Sequence, residues 1–168
     1  MKYLAIAFAL VAALSFSMGS ASASSFEIGA KIGYWTPKDT EDSVVPYGII
    51  GQFDINETWA VRLDAEMGTA DDVDFTSFVL SGVFNFPMSE ETSWRPYVRA
   101  GVGSYGADDG TNSESAFGYE AALGIGYLYQ NWTFFVEAGY RGASLEPVPG
   151  TDVKLDGIIA FFGVMYKF

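Results

Sequence analysis

The chain contains neither cysteine nor histidine among its 168 residues. Without a thiol there is no disulfide framework, no lipid attachment at a processed N-terminus and no thiol nucleophile. Without an imidazole, Ser-His-Asp and Cys-His arrangements and histidine-based zinc sites are excluded. Long hydrophobic runs are scarce as well. The longest apolar stretch, Leu4 to Phe16, has 13 residues, too few for the roughly 20 that a spanning helix requires. Basic residues number 9 against 21 acidic ones, so there is no basic patch for nucleic acid, which is not expected as a partner. No Pro/Ser-rich linker or low-complexity segment divides the chain.

What the N-terminus does carry is Lys2, the apolar stretch and then Ala21-Ser22-Ala23. This is the pattern of a secretory signal peptide spanning 1–23, with cleavage after Ala23. A single mature domain, 24–168, is then expected, with 145 residues. Loss of Lys2 takes its formal charge from −12 to −13.

Aromatic residues make up 17% of the chain and there are 19 glycines, a composition that favours strands. After Ser24 no window sustains a 3.6-residue period, whereas eight stretches alternate apolar with polar residues or glycine. They are Phe26 to Trp35, Tyr47 to Ile55, Trp59 to Gly68, Phe75 to Phe86, Trp94 to Tyr105, Phe117 to Tyr129, Trp132 to Arg141 and Val153 to Phe168. Asn56-Glu57 and Gln130-Asn131 read as two-residue turns. Polar segments such as TPKDTEDSVVP and ADDGTNSES read as long loops. Short and long connections alternate, so the fold class is all-β, an eight-stranded antiparallel up-and-down transmembrane barrel.

Separating the two faces of these strands decides between membrane and water. One face runs through Phe26, Ile28, Ala30, Ile32 and Tyr34, continues in the same parity through every strand and ends at Phe162, Val164, Tyr166 and Phe168. None of its 42 positions is charged, where chance at 18% charge content would place seven or eight. The opposite face carries Glu27, Lys31, Asp54, Arg62, Asp64, Glu66, Arg95, Arg99, Glu120, Glu137, Arg141 and Lys167. Lys or Arg on a lipid-facing strand costs about 2 to 4 kcal/mol at the bilayer midplane, which accounts for the clean face. A soluble barrel would turn Trp59, Trp94 and Trp132 inward and overfill its core. Those tryptophans instead open strands directly after short turns. Together with Phe26, Phe53, Phe86 and Tyr127 they form an aromatic girdle at the rim expected to face the periplasm.

RPYVRAGVGSYG at 95–106, AFGYEAALGIGYLY at 116–129 and the final strand ending in Phe168 carry a family resemblance. From Ser24 to Phe168 the chain resembles the small eight-stranded outer-membrane proteins of the OmpX and OmpA-barrel type. The resemblance implies the outer membrane of a Gram-negative-type bacterium, outer-membrane lipid as surroundings and insertion by the barrel-assembly machinery. It also implies a C-terminal assembly signal of Gly163, Tyr166 and Phe168, although Phe161 stands where that signal has a polar residue. Barrel enzymes generally depend on a histidine, so the resemblance does not extend to them, and no activity and no cofactor are expected.

The twelve inward charges are six acidic and six basic. Eight strands leave an interior just wide enough for side chains, so a lumen network of Arg62, Arg95, Arg99 and Arg141 with Asp64, Glu66, Glu120 and Glu137 is expected. Inward Gly101, Gly103, Gly124, Gly126 and Gly139 reduce side-chain volume and leave a narrow passive pore as the alternative. The long loops hold twelve acids against Lys38 and Lys154. Divalent cations or a basic partner are candidates for that surface. Gly101 to Gly106 spells GxGxxG, but no helix follows and nucleotide binding is rejected.

Overall fold

The computed structural model describes residues 25–38, 43–70, 73–89, 92–108, 110–111, 113–148, 151–154 and 156–168, with only the backbone for 144–148 and 151–154. The expected secretory segment, 1–23, and its expected cleavage point lie outside the described residues, as do Asp39, Glu41, Asp42, Asp71, Asp72 and Asp109 of the loops.

Among the described residues nine antiparallel strands are formed: β1 (Ser25–Pro37), β2 (Tyr47–Asp54), β3 (Trp59–Ala70), β4 (Val73–Asn85), β5 (Trp94–Asp108), β6 (Ser113–Tyr129), β7 (Trp132–Val148), β8 (Thr151–Lys154) and β9 (Gly157–Lys167). Each of β1 to β7 pairs with the next in sequence, β7 pairs with β9, and β9 returns to β1 through Glu27↔Lys167 and Ile32↔Phe162. The result is a closed eight-stranded barrel, with β8 a short addition to the outer end of β7. Closure removes the unpaired edges that a hydrocarbon environment does not tolerate.

The period-two alternation produces an inside-out protein. None of the 42 uncharged face positions is buried. Ile49 is 65% and Leu123 67% exposed, whereas Arg62 is 1% and Arg99 0% exposed. Apolar side chains that wide around the whole girth require lipid outside. Ten of the twelve inward charges are buried; Arg95 and Lys167, at the short-turn end, are half-buried.

Most strand ends shift by a few residues, and β5, β6 and β7 run on to Asp108, Ser113 and Val148; two boundaries differ for a local reason. The stretch from Val153 does not run unbroken to Phe168: Thr151–Lys154 folds back on β7, and the last barrel strand begins at Gly157. A Cβ at Gly157 would collide with the Thr36 carbonyl, so the start of that strand is set by a close approach of backbones that alternation cannot register. The turn after β2 spans Ile55–Thr58 rather than two residues. Its Asn56 side chain accepts hydrogen bonds from the Thr58 and Trp59 amides at 2.9 and 2.8 Å, which caps the turn as a short polar side chain does. Gln130-Asn131 is the two-residue turn expected, with Gln130 at φ 56°.

The rim aromatics touch one another across strands. Trp94 meets Tyr127 and Trp132 meets Tyr166, both with centroids 4.9 Å apart. Phe26 stacks on Phe168 at 6.4 Å, Trp59 lies at 5.0 Å from Phe84, and Phe84 at 5.3 Å from Phe86. Phe53 is the direct cross-strand partner of Phe26. Such pairs tie adjacent strands together where the sheet meets the membrane interface.

Candidate functional site

Inward parity brings Lys31 from β1, Arg62, Asp64 and Glu66 from β3, Arg99 from β5, Glu120 from β6, and Glu137 and Arg141 from β7 into the middle of the lumen. They form one continuous chain of contacts. Lys31 Nζ lies 2.6 Å from both Asp64 and Glu66. Glu66 is 2.6 Å from Arg141, and Arg141 is 2.5 Å from Glu120. Glu120 contacts Arg99, Arg99 Nη2 is 2.7 Å from Glu137, and Glu137 is 3.0 Å from Arg62 Nη1. Four cations and four carboxylates neutralise one another, and all eight are buried. Each ion has lost its water, which is tolerable only with several partners apiece.

Neutral groups complete the coordination. Gln52 accepts from Arg62 Nε at 3.0 Å, Tyr97 donates to Glu137 at 2.7 Å, and Ser77 donates to Glu66 at 3.1 Å. Rings fill what is left. Tyr97 and Phe135 both lie 5.2 Å from the Arg62 guanidinium, Tyr105 lies 5.0 Å and Trp35 5.2 Å from Arg141, and Lys31 sits 4.1 Å from the centre of Phe161. Cations over ring faces keep part of their electrostatic stabilisation while the rings occupy the bore.

Arg95 does not join this network, and Lys31 occupies the place it was assigned. Arg95 is the second residue of β5, level with the Trp94 girdle, and among the described residues no ion pair reaches it. Lys31 lies in mid-strand, where the bore is closed. Depth along the strand, counted from the girdle, was the signal that separates them.

The inward glycines do not widen the lumen. A Cβ on Gly124 would fall inside the Tyr97 ring, and one on Gly101, Gly103 or Gly139 would strike a carbonyl of the adjacent strand. Three of them allow strands to approach closely, and Gly124 receives an aromatic ring. At Gly126 the nearest atom, in Thr133, is 3.4 Å away.

Below the network, towards the short turns, Asp54 accepts hydrogen bonds from Ser25 at 2.8 Å and Gln52 at 2.9 Å. Above it, Trp35, Val44, Phe75, Tyr105 and Phe161 form an apolar layer. Trp35 shares the inward parity of Glu27 and Lys31, and Val44, bridged to Trp35 in the β1–β2 register, shares that of Ile50 and Gln52; parity was the available signal for both. Gly163 packs against Phe135, while Tyr166 and Phe168 point outward and contact each other at 5.1 Å. Phe161, where a polar residue was expected, is buried under Lys31.

No group of three or more metal-ligating side chains occurs among the described residues. Asp64 and Glu66, the nearest approach to a paired-carboxylate site, are both engaged by Lys31.

The sequence profile of the outer membrane protein beta-barrel domain matches residues 6–168. The chain belongs to this family. Solved outer-membrane barrels share its fold. Neisserial surface protein A is 18% identical with a TM-score of 0.63, covering 89% of this chain and 100% of that one. OprG of Pseudomonas aeruginosa is 17% identical with a TM-score of 0.64, covering 87% and 96%. Ail of Yersinia pestis, solved with the heparin analogue sucrose octasulfate, is 17% identical with a TM-score of 0.50, covering 86% and 97%. Among curated protein sequences none matches the chain.

Proposed function

We propose that this member of the outer-membrane barrel family is a closed, non-enzymatic scaffold, exported with removal of 1–23, that acts through its acidic outer loops. The observation that carries the reading is the neutral eight-residue ion network across the lumen, packed about by Tyr97, Phe135, Tyr105 and Phe161. A lumen so filled offers solutes no continuous water path, which leaves the surface as the working part. The absence of histidine and cysteine supports a role without catalysis.

The loops decide what the surface attracts. Their excess of Asp and Glu favours divalent cations or a basic partner and repels polyanions, unlike a barrel that binds a sulfated heparin analogue. Vesicles carrying the refolded protein should swell in isosmotic arabinose no faster than empty vesicles. Swelling well above that background would favour the narrow pore instead.

A further inference from the structure

The β6–β7 ladder stops before its strands do. It ends at Gly118↔Ala143, yet β6 continues outward to Ser113, paired with β5 as far as Asp108↔Ser113, and β7 continues to Val148, paired with β8. Among the described residues no strand pairs with the side of 113–117 that faces away from β5. The 11 residues from Tyr127 in the girdle to Phe117 match the roughly 9 to 11 that a tilted strand needs to cross hydrocarbon. The edge therefore opens in water just above the outer leaflet, the depth at which unpaired backbone becomes tolerable.

Which groups line this edge follows from the register. Leu128 N–H donates to the Ser93 carbonyl at 2.8 Å, and the ladder keeps one register from Trp94↔Tyr127 to Asp108↔Ser113. Even-numbered residues of β6 thus turn their backbone groups to β5. Ser113, Ser115 and Phe117 turn theirs away from it, a row of donors and acceptors spaced for a further strand. Phe117 is 75% exposed. The surroundings are acidic: Asp74 stands directly across from Asp108, and Glu114 is one rung further on, opposite Ala107. Like charges directly opposite destabilise a ladder, and among the described residues no ion pair reaches any of these three acids.

We propose that this edge of β6 binds an extended, basic segment of a partner protein, which joins the sheet as one more strand. The inference rests on the outer surface being the working part, and it names how that surface holds its partner. In strand addition the backbone pairing supplies affinity and the alternate side chains supply selectivity. On one side of the added strand, residues lie beside Ser115 and Phe117 at the lipid boundary, which favours apolar groups; on the other they lie beside Glu114, which favours lysine or arginine. A segment alternating basic with apolar residues satisfies both sides at once. An acidic segment is repelled by Asp74, Asp108 and Glu114. A second copy of this chain brings the same acids to the edge and is disfavoured for the same reason.

The probe is a blocked six-residue peptide of alternating lysine and valine, titrated against the refolded mature protein in uncharged micelles. It should bind saturably and protect the amides of Ser113, Ser115 and Phe117 from hydrogen exchange, leaving those of Glu114 and Ala116, which face β5, unchanged. The same peptide N-methylated at every residue keeps its charge but loses its amide donors, and should bind at least about tenfold more weakly. Ser115→Pro deletes an edge N–H that β5 does not use and should weaken the unmethylated peptide about fivefold. If that variant does not fold, exchange protection in the unaltered chain decides alone. Equal affinity for the two peptides, with the edge amides unprotected, overturns strand addition and leaves the acidic surface as the attraction. Binding of neither peptide overturns strand addition and the basic partner of the loops together. Protection of the three amides before any peptide is added, in a barrel that sediments as a dimer, would mean that a second copy holds the edge, and overturns the proposal as well.

Discussion

Arg99 on β5 grips Glu137 on β7 although β6 lies between their strands: Nη2 is 2.7 Å from one carboxylate oxygen, and Nε is 3.1 Å from both. The contact spans the bore rather than a neighbouring pair of strands. It closes the middle of the barrel together with Arg62, which reaches the same carboxylate at 3.0 Å.

Glu137 is therefore the member whose loss strands the most charge. Glu137→Gln leaves Arg62 and Arg99 buried without their shared anion and should cost about 3 to 5 kcal/mol. Urea unfolding in phospholipid vesicles measures it, with Glu57→Gln on the exposed turn as a control that should stay within about 0.5 kcal/mol.

Lys31 and Arg95 should separate cleanly. Lys31→Met removes the only cation touching Asp64 among the described residues and should destabilise by about 3 kcal/mol or more. Arg95→Met, at the half-buried rim, should fall within about 0.5 kcal/mol. Equal effects in the same unfolding assay would place Arg95 back in the network.

Glycines on the two faces should respond oppositely. Gly124→Ala forces the Tyr97 ring aside and with it the hydroxyl that donates to Glu137, a cost of about 1 to 3 kcal/mol. Gly82→Ala has no atom within 4 Å to meet and should be neutral or stabilising.

On the lipid face, Leu80 stands mid-strand and half exposed. Leu80→Arg should cost about 2 to 4 kcal/mol in a bilayer. A change near zero would mean that this face is not in hydrocarbon.

Phe168 closes the last strand, its amide donating to the Phe26 carbonyl at 2.9 Å and its ring meeting Tyr166. Deleting it should lower the amount of protein recovered in the outer membrane far more than it lowers the stability of protein refolded in vitro, the two being compared by membrane fractionation and urea titration.

Much of the fold was legible because a barrel in lipid obeys one strict rule. Within each strand every second residue had to be uncharged, and a period of two fixes which side each residue takes. The rule weakens where lipid ends. β5 and β6 extend past Tyr105 and Phe117, and β8 peels off at Thr151–Lys154, because solvated strand ends carry no required contrast between faces. Within the lumen, parity identified the inward charges but not their partners. Lys31 on β1 reaches Asp64 and Glu66 on β3, and Arg141 on β7 reaches Glu66 on β3 as well as Glu120, its direct partner on β6. Partner choice there depends on depth and girth, which alternation does not encode. Val44 went unmarked although its bridge to Trp35 keeps the register of Ile32↔Tyr47 and gives it the inward parity of Ile50 and Gln52, because it lies in the polar segment read as a loop.

Single-channel recording of the refolded mature protein in planar bilayers tests the closed lumen most directly, with heat-modifiable gel migration establishing that the barrel has formed. A folded barrel with no steady openings across a wide range of salt is the result this account predicts. Steady, salt-dependent openings whose size changes when Arg99 is neutralised would contradict it and make the ion network a conduction path.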